Sequence, residues 1–180
     1  MIIIPKNYSS PYGIMDTERA IKLIKDTFEK ALAEALHLTR ISAPLFVKRN
    51  TGLNDDLNGV ERPVSFEMKD AEGQTIEIIH SLAKWKRLAL KRYSIALHEA
   101  IRRDETLDNT HSIYVDQWDW EKVIAPSDRS LEYLQQTVNQ LYNAFLETEA
   151  ALVAHYPKCK AFLPKEITFI SSQELEDRYP

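Results

Sequence analysis

The stretch from His111 to Trp120 constrains the fold most, because its residues alternate with the period of two that a β-strand requires. One face of this predicted strand carries Ile113, Val115, Gln117 and Asp119. The other face carries Tyr114, Asp116, Trp118 and Trp120. Because a buried polar atom needs a hydrogen-bond partner, polar groups among aromatic ones indicate either a small zwitterionic ligand or a strand end opening into solvent. The residue types leave both interpretations open.

Composition and charge are those of an ordinary globular protein. The 180 residues suit one domain, and a net charge of −4 with a pI near 5.8 argues against a surface that coats nucleic acid or an anionic membrane. Cys159 is the single cysteine, so no internal disulfide forms and nothing points to secretion. No signal sequence or transmembrane run is present, so we expect a soluble, cytoplasmic protein that binds neither nucleic acid nor membrane.

Helical periodicity is clear near the start of the chain. Asp16 or Thr17 is predicted to cap a helix that ends near residues 37–39. The next segment, 40–47, is predicted to be extended, and Pro44 confines it to a sheet edge or an interface because proline cannot donate to an inner strand pair.

The second half reads as helix, strand and helix. A long helix is predicted to begin after Pro126-Ser-Asp128 and to end at Pro157. Its apolar positions at near-heptad spacing are Leu131, Leu134, Val138, Leu141, Phe145 and Leu152. Residues 166–171 are predicted to form a strand. The sequence Ser171-Ser-Gln-Glu174 is typical of a capping box that opens another helix.

The middle of the chain contains a predicted hairpin and one ambiguous segment. Residues 64–68 and 75–80 alternate as two strands around a turn, and Ser81 is at the N-cap position of a helix over 82–90. Residues 95–103 favour a helix by propensity and a strand by alternation, so the residues alone leave that segment undecided.

Most standard catalytic motifs are absent from the sequence, including a phosphate-binding glycine loop and a zinc-type histidine pair. The basic run from Lys84 to Arg92 is interpreted as a solvated or phosphate-facing helix surface rather than a duplex-binding one. His80 and His111 are interpreted as hydrogen-bonded structural histidines. The polar loop at 48–63 is either a cluster of surface turns or a substrate loop that presents an aspartate.

The remaining polar side chains suit an amino-acid substrate. Carboxylates accept hydrogen bonds from an ammonium group, and cations hold a substrate carboxylate or a nucleotide phosphate. The candidates are Asp55, Asp116, Asp119, Gln117, Lys84, Lys86, Arg102 and Arg103.

Three long strings together resemble one family, the ammonia-dependent asparagine synthetases, or aspartate–ammonia ligases of the A type. They are His80-Ser-Leu-Ala-Lys-Trp-Lys-Arg87, His111-Ser-Ile-Tyr-Val-Asp-Gln-Trp-Asp-Trp-Glu121 and Ser171-Ser-Gln-Glu-Leu-Glu-Asp-Arg-Tyr-Pro180. The resemblance implies an α+β fold in which helices flank an antiparallel sheet, the catalytic core of class II aminoacyl-tRNA synthetases, and a homodimer. Residues 1–180 would be the N-terminal part of a single catalytic domain, and 95–103 would be a strand.

The resemblance also implies a reaction and a set of site residues. ATP, with Mg²⁺, would adenylate the β-carboxylate of L-aspartate, and ammonia would then give L-asparagine, AMP and pyrophosphate. Asp55, Ser81, Lys86, Gln117 and Asp119 match substrate-binding positions, and Lys86 is also a catalytic candidate. Arg103 matches the catalytic arginine at the α-phosphate, with Arg102 as the alternative if the hairpin register shifts by one. A non-catalytic amino-acid-binding half-domain and a synthetase-like paralogue are the alternative functions.

Overall fold

The computed structural model describes residues 2–54, 61–69, 73–81, 83–90, 96–101, 108–112, 114–118 and 120–180. Its helices are α1 (Ile14–Leu36), α2 (Ala83–Leu90), α3 (Leu131–His155) and α4 (Ser172–Arg178). Its strands are β1 (Ile41–Ser42), β2 (Phe46–Lys48), β3 (Ser65–Glu67), β4 (Thr75–Ile78), β5 (Ala96–Ile101) and β6 (Tyr114–Gln117). A single 3₁₀ turn at Pro126–Asp128 precedes α3. The elements form two compact units, one from residues 1–8 and 39–123 and the other from 9–38 and 124–180.

The first sheet of unit 1 has the strand order β2-β4-β3, with both pairs antiparallel. The predicted hairpin of 64–68 and 75–80 is thereby confirmed as the pair β3–β4. Its register places Phe66 opposite Ile76, and β2 pairs on the other side with Phe46 opposite Ile78. The rings of Phe46 and Phe66 pack edge to face across β4, with 6.0 Å between their centroids.

The second sheet of unit 1 shows that residues 96–101, the described part of the ambiguous segment at 95–103, form a strand. β5 pairs in parallel with β1 and antiparallel with β6, and its register places His98 opposite Gln117. A neighbour on each side satisfies the main-chain groups of β5, and this pairing overrides a local preference for helix. The strand predicted over 111–120 is shorter than expected, because β6 covers only Tyr114–Gln117.

The core of unit 1 lies where the first sheet meets α2. Val47 and Ile79 are buried at its centre. The partly buried side chains packed around them are Ile41, Ala43, Leu53 and Trp85. Trp85 is the residue of α2 that packs on this cluster among the described residues.

Unit 2 is built on α1 and α3, which pack through Phe28 and Phe145 with their ring centroids 4.7 Å apart. The bounds of both helices are close to those predicted, but the predicted cap of α1 is wrong. The helix starts at Ile14 after Gly13, and no side chain caps it. Thr17 lies within the first turn, where its hydroxyl donates to the carbonyl of Gly13 at 3.0 Å.

The buried positions of α3 differ from the predicted apolar stripe. Ala144 and Thr148 are buried, whereas Leu131 is 64% exposed and Leu134 is 56% exposed. The hydroxyl of Thr148 donates to the carbonyl of Ala144 at 2.7 Å, so its polar atom is satisfied inside the helix. Small residues therefore occupy the most buried face of α3, and two of the large apolar residues lie on the solvent side.

The predicted strand at 166–171 is wrong, because these residues form no strand. Every residue of unit 2 is described, and the six described strands all belong to unit 1, so residues 166–171 have no strand partner within their own unit. The preceding segment is bound to α3 instead. The carboxylate of Glu149 accepts from the N–H groups of Phe162 and Leu163 at 2.7 and 3.0 Å, and the hydroxyl of Tyr142 donates to the Pro164 carbonyl at 2.6 Å.

The predicted capping box is confirmed at the start of α4. The Ser171 hydroxyl accepts from the N–H of Glu174 at 3.1 Å, and the Glu174 carboxylate accepts from the N–H of Ser171 at 2.8 Å. Helices and small, mainly antiparallel sheets together give an α+β fold, as expected. Among the described residues, no helix has the length and apolar character needed to cross a bilayer.

Candidate functional site

The candidate site is centred on the β4–α2 junction, defined here as residues 79–86. Ser81 is half-buried in this junction, and its hydroxyl oxygen accepts from the N–H of Ala83 at 3.2 Å. This bond satisfies one of the free N–H groups at the start of α2, which is the capping role predicted for Ser81. The serine is thereby held at the helix N-terminus, an end that favours a negatively charged group of a ligand.

Lys86 lies one turn further along α2, and its side chain is only 2% exposed. Its ammonium nitrogen is 3.8 Å from Oε1 of Glu121, whose side chain is 34% exposed. Removing a charge from water is costly unless an opposite charge compensates it, so Glu121 supplies part of that compensation. Ser81 and Lys86 are therefore two predicted substrate residues that the structure places on a single short element.

Residues 84–90, the described part of the basic run from Lys84 to Arg92, do not form the wholly solvated helix surface that their composition suggests. Lys86 is buried, and the ammonium of Lys84 donates to the main-chain carbonyl of Asn54 at 3.1 Å. Of the cations in the described part of this run, Arg87 is the one that faces solvent. The tryptophan of the run, Trp85, packs on the core of unit 1 rather than presenting a stacking surface.

Asn54 connects the polar loop to this junction. Its side-chain oxygen accepts from the N–H of His80 at 2.9 Å. Its side-chain nitrogen donates to Oε2 of Glu77 at 3.1 Å and to the carbonyl of Ile78 at 3.3 Å. Asn54 directly precedes Asp55 in the chain, so the described end of this loop is attached to β4.

His80 contradicts the interpretation of a hydrogen-bonded structural histidine. His80 is 1% exposed. Within the part of the chain that the structure describes, neither of its ring nitrogens has a hydrogen-bond partner. Native proteins seldom leave a buried polar atom unsatisfied, so each such group needs an explanation. The ring belongs to the same junction as Ser81.

His111 is the hydrogen-bonded histidine that the sequence predicts. Its Nδ1 lies 2.8 Å from Oδ1 of Asp108 and 3.1 Å from the hydroxyl of Thr110, and the residue is exposed. Hydrogen bonds to the Asp108 carboxylate from the Thr110 N–H, and then from His111 and the Thr110 hydroxyl, hold the pKa of Asp108 well below its usual range. The hydrogen bonds of this cluster stabilise a turn before β6, and we do not assign its residues to the candidate site.

The other predicted site residues are not placed by the described structure. Asp55, Arg102, Arg103 and Asp119 lie outside the described residues. Gln117 is placed by its main chain alone, as the last residue of β6 opposite His98. The roles assigned to these five residues stay predictions.

The sequence interpretation missed Asn54 and Glu121, although both are adjacent to residues that it singled out. Asn54 was grouped with the turn-forming residues of its loop, and its bonds to positions 23 to 26 residues later have no local signal. Glu121 is the last residue of the second family-like string, and its charge was a usable signal. Within the described ranges, no three histidine, cysteine or acidic side chains come together as a metal site.

Comparison with known proteins agrees with the resemblance carried by the three strings. The family model for aspartate–ammonia ligase matches residues 15–180. Proteins named aspartate–ammonia ligase from Lactobacillus johnsonii and Clostridium perfringens are 56% and 58% identical over 186 residues, which cover 99% of this chain and 55% of each relative. A protein of the same name from Limosilactobacillus reuteri is 52% identical with the same coverage. The chain thus spans about half the length of the curated relatives that it matches, and it belongs to the aspartate–ammonia ligase family.

Proposed function

We propose that this chain, together with the remaining length that its relatives have, catalyses the ATP-dependent amidation of L-aspartate by ammonia. The observation that carries this proposal is the family match over residues 15–180, which includes the whole β4–α2 junction. The buried Lys86 and the helix-capping Ser81 fit this proposal. A substrate carboxylate and a phosphate both need a fixed cation and fixed hydrogen-bond donors.

The proposed reaction has two steps. An oxygen of the aspartate β-carboxylate attacks the α-phosphorus of ATP, and pyrophosphate leaves with the electrons of the broken P–O bond. The nitrogen of ammonia then attacks the acyl carbon of the aspartyl-adenylate, loses a proton, and expels AMP as the C–O bond breaks. Adenylation is needed because an unactivated carboxylate has no leaving group that ammonia can displace.

Each candidate residue has a role in this proposal. Lys86 and Arg103 would neutralise the negative charge that develops at the α-phosphate. Arg102 is the alternative to Arg103 in this role. The remaining residues would hold aspartate through its ammonium and carboxylates, and they are Asp55, Ser81, Gln117 and Asp119. The proposal includes Mg²⁺ together with ATP, and among the described residues no three histidine, cysteine or acidic side chains come together to hold it.

The proposal includes the architecture that the resemblance implies. The two sheets and their flanking helices would be the N-terminal part of one catalytic domain of the class II synthetase type, and the complete protein would be a homodimer. The antiparallel β5–β6 pair supports this, because Arg103 follows β5 after two residues and Gln117 ends β6.

The test is aspartate-dependent exchange between ATP and labelled pyrophosphate, measured on the full-length protein. We expect exchange in the wild type and its loss, by at least about a hundredfold, in Asp119→Asn and Arg103→Ala. The first change removes a carboxylate that is proposed to hold the substrate, and the second removes a cation that is proposed to neutralise charge at the α-phosphate. Matched controls are Asp16→Asn and Arg19→Ala, an exposed ion pair in α1, which should leave the rate unchanged. Unchanged exchange in the site variants would contradict the proposal, and aspartate binding without turnover in calorimetry would favour the amino-acid-binding alternative.

A further inference from the structure

The side chain of Asn54 joins the polar loop to the strand that leads into Ser81, in addition to the ion pair of Arg49 with Glu77. We propose that Asn54 is a positioning residue for the aspartate site, a role that rests on the proposed function. It acts on Ser81 through the neighbouring His80, and in the sequence it directly precedes the predicted substrate residue Asp55.

The three side-chain contacts of Asn54 define the orientation of its amide. The oxygen faces a main-chain N–H, that of His80, and the nitrogen faces two acceptors, Oε2 of Glu77 and the carbonyl of Ile78. An amide rotated by 180° would oppose oxygen to oxygen and nitrogen to N–H, so one orientation alone satisfies the surroundings. The bond from Lys84 to the Asn54 carbonyl adds a fourth contact, made to the main chain.

The consequence is that two separate parts of the candidate site share one support. Asn54 and His80 are 26 residues apart, yet each immediately precedes a predicted substrate residue, Asp55 and Ser81 respectively. The bond between them therefore sets the spacing between the chain positions that lead into these two residues. A displacement of about 1 Å at a reacting centre lowers rates by about a hundredfold, so this bond matters even though Asn54 need not touch the substrate.

A residue that only stabilises the fold would behave differently from a positioning residue. Loss of a structural hydrogen bond lowers the melting temperature and affects both substrates equally. Loss of a support for the aspartate site raises the KM for aspartate and leaves the KM for ATP unchanged. The ratio of the two KM values therefore distinguishes the two roles.

The first variant is Asn54→Asp in the full-length protein. The new carboxylate still accepts from the His80 N–H, but its second oxygen faces the Glu77 carboxylate and repels it. We expect the KM for aspartate to rise by about tenfold while the KM for ATP stays within about twofold of the wild type. If this variant does not fold, Asn54→Ser removes the two donor contacts without adding charge and should shift the KM for aspartate in the same direction.

The decisive variant is the exchanged pair N54D/E77Q. It has the same total charge as the wild type, and the amide now at position 77 can donate to the carboxylate now at position 54, which reverses the original hydrogen bond. The amide oxygen at position 77 can still accept from Nε of Arg49, which lies 3.2 Å from Oε1 of Glu77. We expect the KM for aspartate to return to within about threefold of the wild type.

The matched control is Asn143→Ala, an exposed asparagine on α3, which should leave both KM values unchanged. The inference is overturned if N54D raises both KM values equally, if it lowers the melting temperature without changing the KM for aspartate, or if the exchanged pair is no better than N54D. Failure of the proposed function is a separate outcome, because the wild type would then show no aspartate-dependent exchange at all.

Discussion

The ammonium of Lys86 lies 3.8 Å from the carboxylate of Glu121, and only 2% of the Lys86 side chain is exposed. The two residues are 35 positions apart, at the N-terminal half of α2 and just beyond β6. The carboxylate of Glu121 therefore offsets part of the cost of burying this charge.

This pair should be energetically coupled. We expect Glu121→Gln to destabilise the full-length protein by about 1–2 kcal/mol, because it leaves a buried ammonium with less compensation. In a double-mutant cycle with Lys86→Met, the two losses should not add, which chemical denaturation of the four proteins measures. The control is the exposed ion pair of Lys22 and Asp26. Its charged atoms are closer, at 2.6 Å, but its coupling energy should be below about 0.5 kcal/mol. Additive losses at Lys86 and Glu121 would show that they do not interact.

The ring of His80 should contribute little to stability in the absence of substrate. Its nitrogens have no partner among the described residues, and replacing an unsatisfied polar group by an apolar one of similar volume is close to neutral. We expect His80→Leu to change the free energy of unfolding of this 180-residue chain by less than about 1 kcal/mol. A loss of more than about 2 kcal/mol in urea denaturation would mean that the ring is hydrogen-bonded in solution.

The packing of α1 on α3 should depend strongly on Phe28. This ring is 3% exposed and packs on Phe145 at 4.7 Å, so Phe28→Ala removes a large buried side chain and leaves a cavity. We expect a loss of about 3–4 kcal/mol in thermal or chemical unfolding. Ile21→Ala in the same helix is the matched control, since Ile21 is 42% exposed and its loss should be below about 1 kcal/mol. Equal losses for the two variants would contradict the packing described here.

The capping box of α4 should depend on pH through Glu174. Hydrogen bonds from the Ser171 N–H and then from the Ser171 hydroxyl lower the pKa of Glu174 below its usual value. Because the folded pKa lies below the unfolded one, the stabilisation is present above the unfolded pKa, about 4.3, and is lost as the pH falls through the folded value. An NMR titration of the Glu174 carboxyl should show this lowered pKa in the wild type and a higher one in Ser171→Ala. Identical titrations in the two proteins would contradict the capping contact.

Local patterns in the sequence were sufficient for the helices and for one hairpin. The bounds of α1 and α3 and the β3–β4 pair agree with the predictions, because periodicity and turn residues act over a few positions. The segment now assigned to β5 could not be decided in this way, since its strand form depends on pairing with both β1 and β6. The strand predicted at 166–171 is wrong for the opposite reason, because its extended pattern has no strand partner within unit 2.

The candidate residues were chosen from residue types and from the family-like strings, whereas contacts between distant segments had no signal in the sequence. Ser81 and Lys86 were named from the family-like strings, and the structure places both on one junction. The contacts of Asn54 with β4 and of Glu121 with Lys86 join segments that lie 23 to 35 residues apart. No local pattern encodes such pairs, so the support of the site emerges only from the fold.

The central claim, activation of aspartate as its adenylate, is tested most directly by following an isotope from substrate to product. Full-length protein would be supplied with ATP, ammonia and L-aspartate labelled with ¹⁸O in both oxygens of its β-carboxylate. The mechanism predicts that one labelled oxygen appears in AMP and the other remains in the amide carbonyl of asparagine. Label in inorganic phosphate, with ADP as the product, or AMP without label, would contradict it.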